Sequence, residues 1–163
     1  MRGFFIAAHG WMSGLPTTTE EAQVTDSGRK VEAIVPAAVE TYAERWSYSP
    51  GVVVPAGDLL FVSGQVGRAA DGTVVADPEE QFATAFANLA AILEQGGATL
   101  ADVVDLTTYH TSMGDLALFA EVKGRHLTSA PYPAWTAIGV QELALPGLRV
   151  EIKATARLEP AGA

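Results

Sequence analysis

Cysteine is missing from this chain of 163 residues, which excludes disulfide staples, thiolate nucleophiles and thiolate metal sites and is compatible with a reducing cytoplasm. Positive charge is scarce. Ten Lys and Arg face 19 Asp and Glu, a formal net charge of -9, so the clustered basic surface that nucleic acid or an anionic membrane requires is not provided. No apolar run approaches the roughly 20 residues of a membrane helix. No glycine-rich phosphate loop occurs, and His9, His110 and His126 do not fall at metal-ligand spacing. The expectation is no cofactor, no metal, no nucleic acid, no membrane and a cytoplasmic location.

What remains is enough for one core: 48% of residues are hydrophobic and 18% charged. The first eight residues carry one positive charge and a short apolar stretch, which His9 and Gly10 interrupt before a secretory core develops. Residues 1–28, with their Thr, Gly and Glu, read as an N-terminal extension or as residues ahead of a start near Met12. Residues 29–163 read as a single domain.

Within that domain, short punctuated runs predict strands separated by two helices. Val52 to Val54, then Pro55-Ala56-Gly57-Asp58, then Leu59 to Ser63 read as a β-hairpin, and Asp71-Gly72 as another reversal. Asp77-Pro78-Glu79-Glu80 supplies an N-cap, a proline for the first turn and acidic residues for the positive helix end. Phe82, Phe86, Leu89 and Leu93 follow at helical spacing until Gly96-Gly97. Val103 to Thr111 reads as a strand, and Asp115 to Leu127 as a helix with Leu116, Phe119 and Val122 inward. Ala134 to Val140 reads as a further strand. From Leu148 to Leu158, apolar and polar residues alternate with a period of two, which predicts a last strand with one apolar face.

Several strands and two helices make a two-layer α+β domain, in which the helices cover one face of the sheet. The other face needs a partner. A homo-oligomer with a cleft between its subunits is the expected solution.

Tyr48-Ser49-Pro50, the block Gly57 to Gln65 ending in Ser63-Gly64-Gln65, the long helix, Asp102-Val103-Val104, Pro133-Ala134 and Val150-Glu151-Ile152 together resemble the Rid family, also called YjgF or UK114, over about 48–158. The resemblance implies a chorismate-mutase-like fold, a mixed β-sheet with two helices on one face, and a homotrimer with three clefts between protomers. It also implies hydrolysis of reactive enamines and imines to ketoacids and ammonia. In such members an arginine after the proline-alanine pair clamps the substrate carboxylate; here that position is Trp135, followed by Thr136. The family's tyrosine corresponds to Tyr48, its pocket wall to Ser63 and Gly64, and its water-positioning glutamate to Glu151.

Losing a bidentate clamp removes two charge-assisted hydrogen bonds of roughly 1.5 to 3 kcal/mol each, about a hundredfold or more in affinity for a carboxylate. Trp135 has one indole donor and a face that can stack on a flat ligand or attract an iminium ion, or it is a core or interface side chain. Glu151 orients water, or is a solvated carboxylate between Arg149 and Lys153. Arg149 replaces the lost charge or forms a surface ion pair. His110 is a general base or a hydrogen-bonded structural imidazole. Tyr48 donates to a substrate oxygen or packs at a strand entrance, and Ser63 lacks the pattern and base of a nucleophile.

The leading reading is therefore a Rid-like protein that binds a small carbonyl, imine or enamine compound. Catalytic roles fall to Glu151 and Tyr48, and ligand contacts to Trp135, Thr136, Ser63, Gly64, Arg149 and His110. The alternatives are a non-catalytic binding or sensing protein and a condensation or cyclisation catalyst of specialised metabolism. The ribonuclease activity that has also been attached to the family fits poorly with an acidic chain.

Overall fold

A computed structural model describes residues 30–158. The expected extension at 1–28 lies outside the described residues. In chain order the elements are β1 (Glu32–Ile34), α1 (Glu40–Trp46), β2 (Gly51–Val53), β3 (Leu59–Val66), α2 (Pro78–Gln95), β4 (Val103–His110), α3 (Leu116–His126), β5 (Ala134–Gly139) and β6 (Val150–Arg157). The main sheet has the order β3-β6-β4-β5. β6 runs antiparallel to both neighbours and β4 parallel to β5, so the sheet is mixed.

The most regular element is α2. The Asp77 carboxylate accepts the Glu80 backbone N–H at 2.9 Å, Pro78 opens the helix and Gly96 closes it. Its buried stripe of Phe82, Ala85, Phe86, Leu89 and Leu93 packs with Phe119 and Val122 of α3 on Val150, Ile152, Ala154 and Ala156 of β6. The Phe119 ring stands edge-on to Phe82 at 5.5 Å and stacked on Phe86 at 5.7 Å. Gln81 has no exposed surface. Its amide donates to the Val75 and Gly147 carbonyls and accepts from the Arg149 backbone N–H, fastening the β5–β6 loop to α2.

Two expectations are corrected. The segments around Pro55-Ala56-Gly57-Asp58 are not a hairpin: β2 pairs antiparallel with β1 in a separate two-stranded sheet, whereas β3 pairs with β6. A Gly-Asp turn signals a change of direction, but nothing local fixes which strand becomes the partner. A third helix, α1, also stands beside the two expected ones that cover the sheet. Its seven residues bury Ala43 alone, too little for a helical stripe. No helix among the described residues is long and apolar enough to cross a membrane.

Candidate active site

β5 is an edge strand, and its parallel register sets Trp135 level with Leu106 and Thr136 level with Thr107. Leu106, Thr108 and His110 are buried on the helix side of β4, so Trp135 lies on that side and Thr136 on the other. The half-buried indole meets Phe119 at 6.0 Å and Trp46 at 6.5 Å. Its N–H donates to Thr108 Oγ1 at 3.0 Å, so the one polar handle of Trp135 is used within the protomer.

Thr108 Oγ1 also lies 2.8 Å from His110 Nε2. An indole only donates, so the hydroxyl accepts from Trp135; its second lone pair and its own proton let it accept from or donate to Nε2, according to the imidazole tautomer. The imidazole Nδ1 is buried without a hydrogen-bond partner. Burial lowers the pKa of His110, against a smaller opposing pull from Asp115. The imidazole stands edge-on to Phe119 at 4.8 Å, within the core layer.

Behind the indole lies a cation that the sequence reading passed over. Lys123 has no exposed surface, and its Nζ sits 4.5 Å from the Trp135 ring centre. The ammonium donates to the carbonyls of Trp46 at 2.9 Å and Ser47 at 2.7 Å, at the end of α1. Burial lowers its pKa to about 8. This positive charge beside Trp135 is thus committed inward, to two carbonyls and an indole face. A charged residue four places after Phe119, on a helix stripe otherwise turned inward, was the signal in the sequence.

Glu151 lies on the opposite face of the sheet, between Val66 and Tyr109. The register of β3 against β6 shifts between Val62 and Gln65, and Ser63 and Gly64 occupy that irregularity. A Cβ built on Gly64 would fall inside the Glu151 carboxylate, so the space over this glycine is taken by Glu151 itself. The structure brings Ser63, Gly64 and Glu151 together. Arg149 precedes β6 rather than sharing it; its guanidinium pairs with Asp115 at 2.8 Å. It also lines a hollow of about 730 Å³ under the β5–β6 loop, with Thr111 and Gln141.

Tyr48 follows the end of α1, where Ser47 takes a left-handed conformation at φ 47°. Ser49 fastens this turn to the start of β5: its N–H donates to the Pro133 carbonyl at 3.0 Å and its hydroxyl to the Tyr132 carbonyl. Tyr48 lines a largely apolar hollow of about 230 Å³ with Tyr132, Glu40 and Glu44. Ser49 bridges to Ala134, whereas Glu151 is level with Tyr109 and, through it, Ile138. Those four residues of strand separate the two levels by roughly 13 Å, so one protomer does not bring Tyr48 and Glu151 together.

A family model described as Endoribonuclease L-PSP matches residues 21–158. The chain belongs to this family, whose Rid members it resembles in sequence. The RutC family protein YjgH of Escherichia coli is 41% identical over 127 residues, covering 77% of this chain and 94% of that protein. A 2-iminobutanoate/2-iminopropanoate deaminase of Dermatophagoides farinae is 31% identical over 114 residues, covering 69% and 86%. Among solved structures, the Rid family protein YyfB of Yersinia pestis superposes with a TM-score of 0.72 at 37% identity, covering 78% of this chain and 98% of that one. The mixed sheet with helices on one face is thus the Rid fold.

Proposed function

We propose that the chain binds a small carbonyl, imine or enamine compound in a cleft completed by neighbouring copies, and that it adds water to a carbon-nitrogen double bond of a substrate lacking a carboxylate. The observation that carries this reading is the side chain at position 135, an indole turned to the helix side of the sheet, away from the face that carries Glu151, in place of the guanidinium that the resemblance leads one to expect. An indole whose N–H is already bound to Thr108 stands there, and the adjacent ammonium of Lys123 is buried and committed to two carbonyls. Neither of these two side chains offers an anion the bidentate clamp that a guanidinium would. Glu151 makes no ion pair among the described residues and lies over the Ser63-Gly64 irregularity, so its oxygens are free to orient water. Water's oxygen bonds to the carbon and one of its protons passes to nitrogen; the carbon-nitrogen bond of that adduct then breaks as the hydroxyl gives its remaining proton to the departing nitrogen, leaving a carbonyl compound and an amine. Tyr48, brought by a neighbouring protomer of a homotrimer, polarises the substrate.

The test is hydrolysis by the purified chain of a neutral aryl imine against 2-iminopropanoate. The neutral imine is expected to turn over with the higher kcat/KM, and Glu151→Gln to lower kcat by about a hundredfold, the contribution typical of a positioned acid-base group. Preference for 2-iminopropanoate, or an unchanged Glu151→Gln rate, defeats the proposal.

The separation of Tyr48 from Glu151 in one protomer favours a second reading, ligand binding without turnover. A compound that raises the melting temperature and is recovered unchanged would select it.

A further inference from the structure

The hollow beside Tyr48 has a chemical character that the family's carboxylate chemistry does not use. Ala33 and Val35 of the β1 segment line it with Tyr48 and Tyr132, over a volume of about 230 Å³. Glu40 and Glu44, one helical turn apart on α1, also line it. Neither carboxylate forms an ion pair among the described residues.

A largely apolar lining selects for hydrocarbon, and the two carboxylates select against an anion. Tyr48 and Tyr132 bring two electron-rich side chains to the lining, and such rings attract cations. These three preferences meet in one class of ligand. We infer that this hollow binds a small organic ammonium or iminium ion with apolar substituents. Glu40 is also placed where a helix N-terminus favours negative charge, but Glu44, beyond the first turn, has no such explanation. A protonated imine is the form most open to attack by water, and neighbouring carboxylates hold it protonated. The inference deepens the proposed function and rests on it for the role of Tyr48; the binding event stands apart from turnover.

Isothermal titration of the full chain at matched ionic strength, with benzyltrimethylammonium chloride, sodium benzoate and benzyl alcohol as probes, tests it. The ammonium is expected to bind at least about tenfold more tightly than either other probe. The double variant Glu40→Gln/Glu44→Gln should lose about tenfold of that affinity, with a melting temperature within about two degrees of the parent, because both side chains are exposed. Equal binding of benzoate or benzyl alcohol, no binding of the ammonium, or undiminished affinity in the double variant overturns the inference. So does a change in particle mass in that variant, which would make the hollow a seat for a neighbouring copy. Ammonium binding without imine hydrolysis would sink the hydrolase reading alone, and hydrolysis without ammonium binding would sink this one alone.

Discussion

A buried ammonium must be compensated by its surroundings, and around Lys123 the compensation comes from two backbone carbonyls and an indole face. Burial still wins in part, because the pKa falls from 10.5 to about 8. Between pH 8 and 10.5 the unfolded chain therefore holds a proton that the folded chain has given up, and stability rises with pH across that window. Below pH 8 both states carry the charge and the cost of roughly 3 kcal/mol is constant. Lys123→Met removes this cost but orphans the Trp46 and Ser47 carbonyls, each worth about 1 to 3 kcal/mol. The variant should thus fall further behind the parent as pH rises from 8 to 10, where the parent's neutral amine still donates to both carbonyls. Urea unfolding at pH 7 and pH 10 measures this; parallel stabilities would show that Lys123 does not titrate there.

At the level of elements, the irregularity in β3 decides where the Glu151 carboxylate rests. Gly64→Ala places a methyl group where that carboxylate lies, and the Glu151 side chain is the part able to move. Stability should change by less than about 1 kcal/mol, since a half-exposed side-chain end can swing toward solvent. Turnover should fall nearly as far as in Glu151→Gln. A melting curve and a kcat measurement on one preparation separate the two effects, and full activity in Gly64→Ala would remove Glu151 from the mechanism. Gly67 differs, because a Cβ there meets both the backbone and the buried side chain of Gln81, neither of which is a mobile end.

The same elements show what the sequence could and could not reveal. In α2, cap, first-turn proline, stripe and glycine stop all agree, and the helix runs as its pattern predicts. The alternation from Val150 to Ala156 likewise marked the buried face of β6. Alternation alone cannot say which side of a sheet is covered, so the orientation of Trp135 had to come from the register with Leu106. The pairing of β1 with β2, the small helix α1 and the tie from Lys123 to its end are contacts between segments distant in sequence. No local period encodes them.

Across the whole molecule, α2 and α3 cover one face of the sheet and leave the other with large apolar groups in water. Phe61 is 71% exposed, Leu59 45% and Ile138 39%, and β-register sets all three on the uncovered side. Phe61 lies on β3 and Ile138 on β5, at the two edges of the sheet, so the apolar surface spans its width. Covering that surface with other copies of the chain also offers a way to join a Tyr48 to a Glu151 that one protomer keeps apart. The purified protein is therefore expected to be a stable oligomer, with a mass of three chains by light scattering. Phe61→Asp adds an unpaired charge to the proposed contact and should shift the mass toward one chain at micromolar concentration. Because assembly stabilises by mass action, the parent's melting temperature should rise with protein concentration and that of Phe61→Asp should not. If Phe61→Asp instead keeps the parent's mass and hydrolyses imine at the parent's rate, the uncovered face is not the contact, and the cleft that unites Tyr48 with Glu151 must be formed elsewhere.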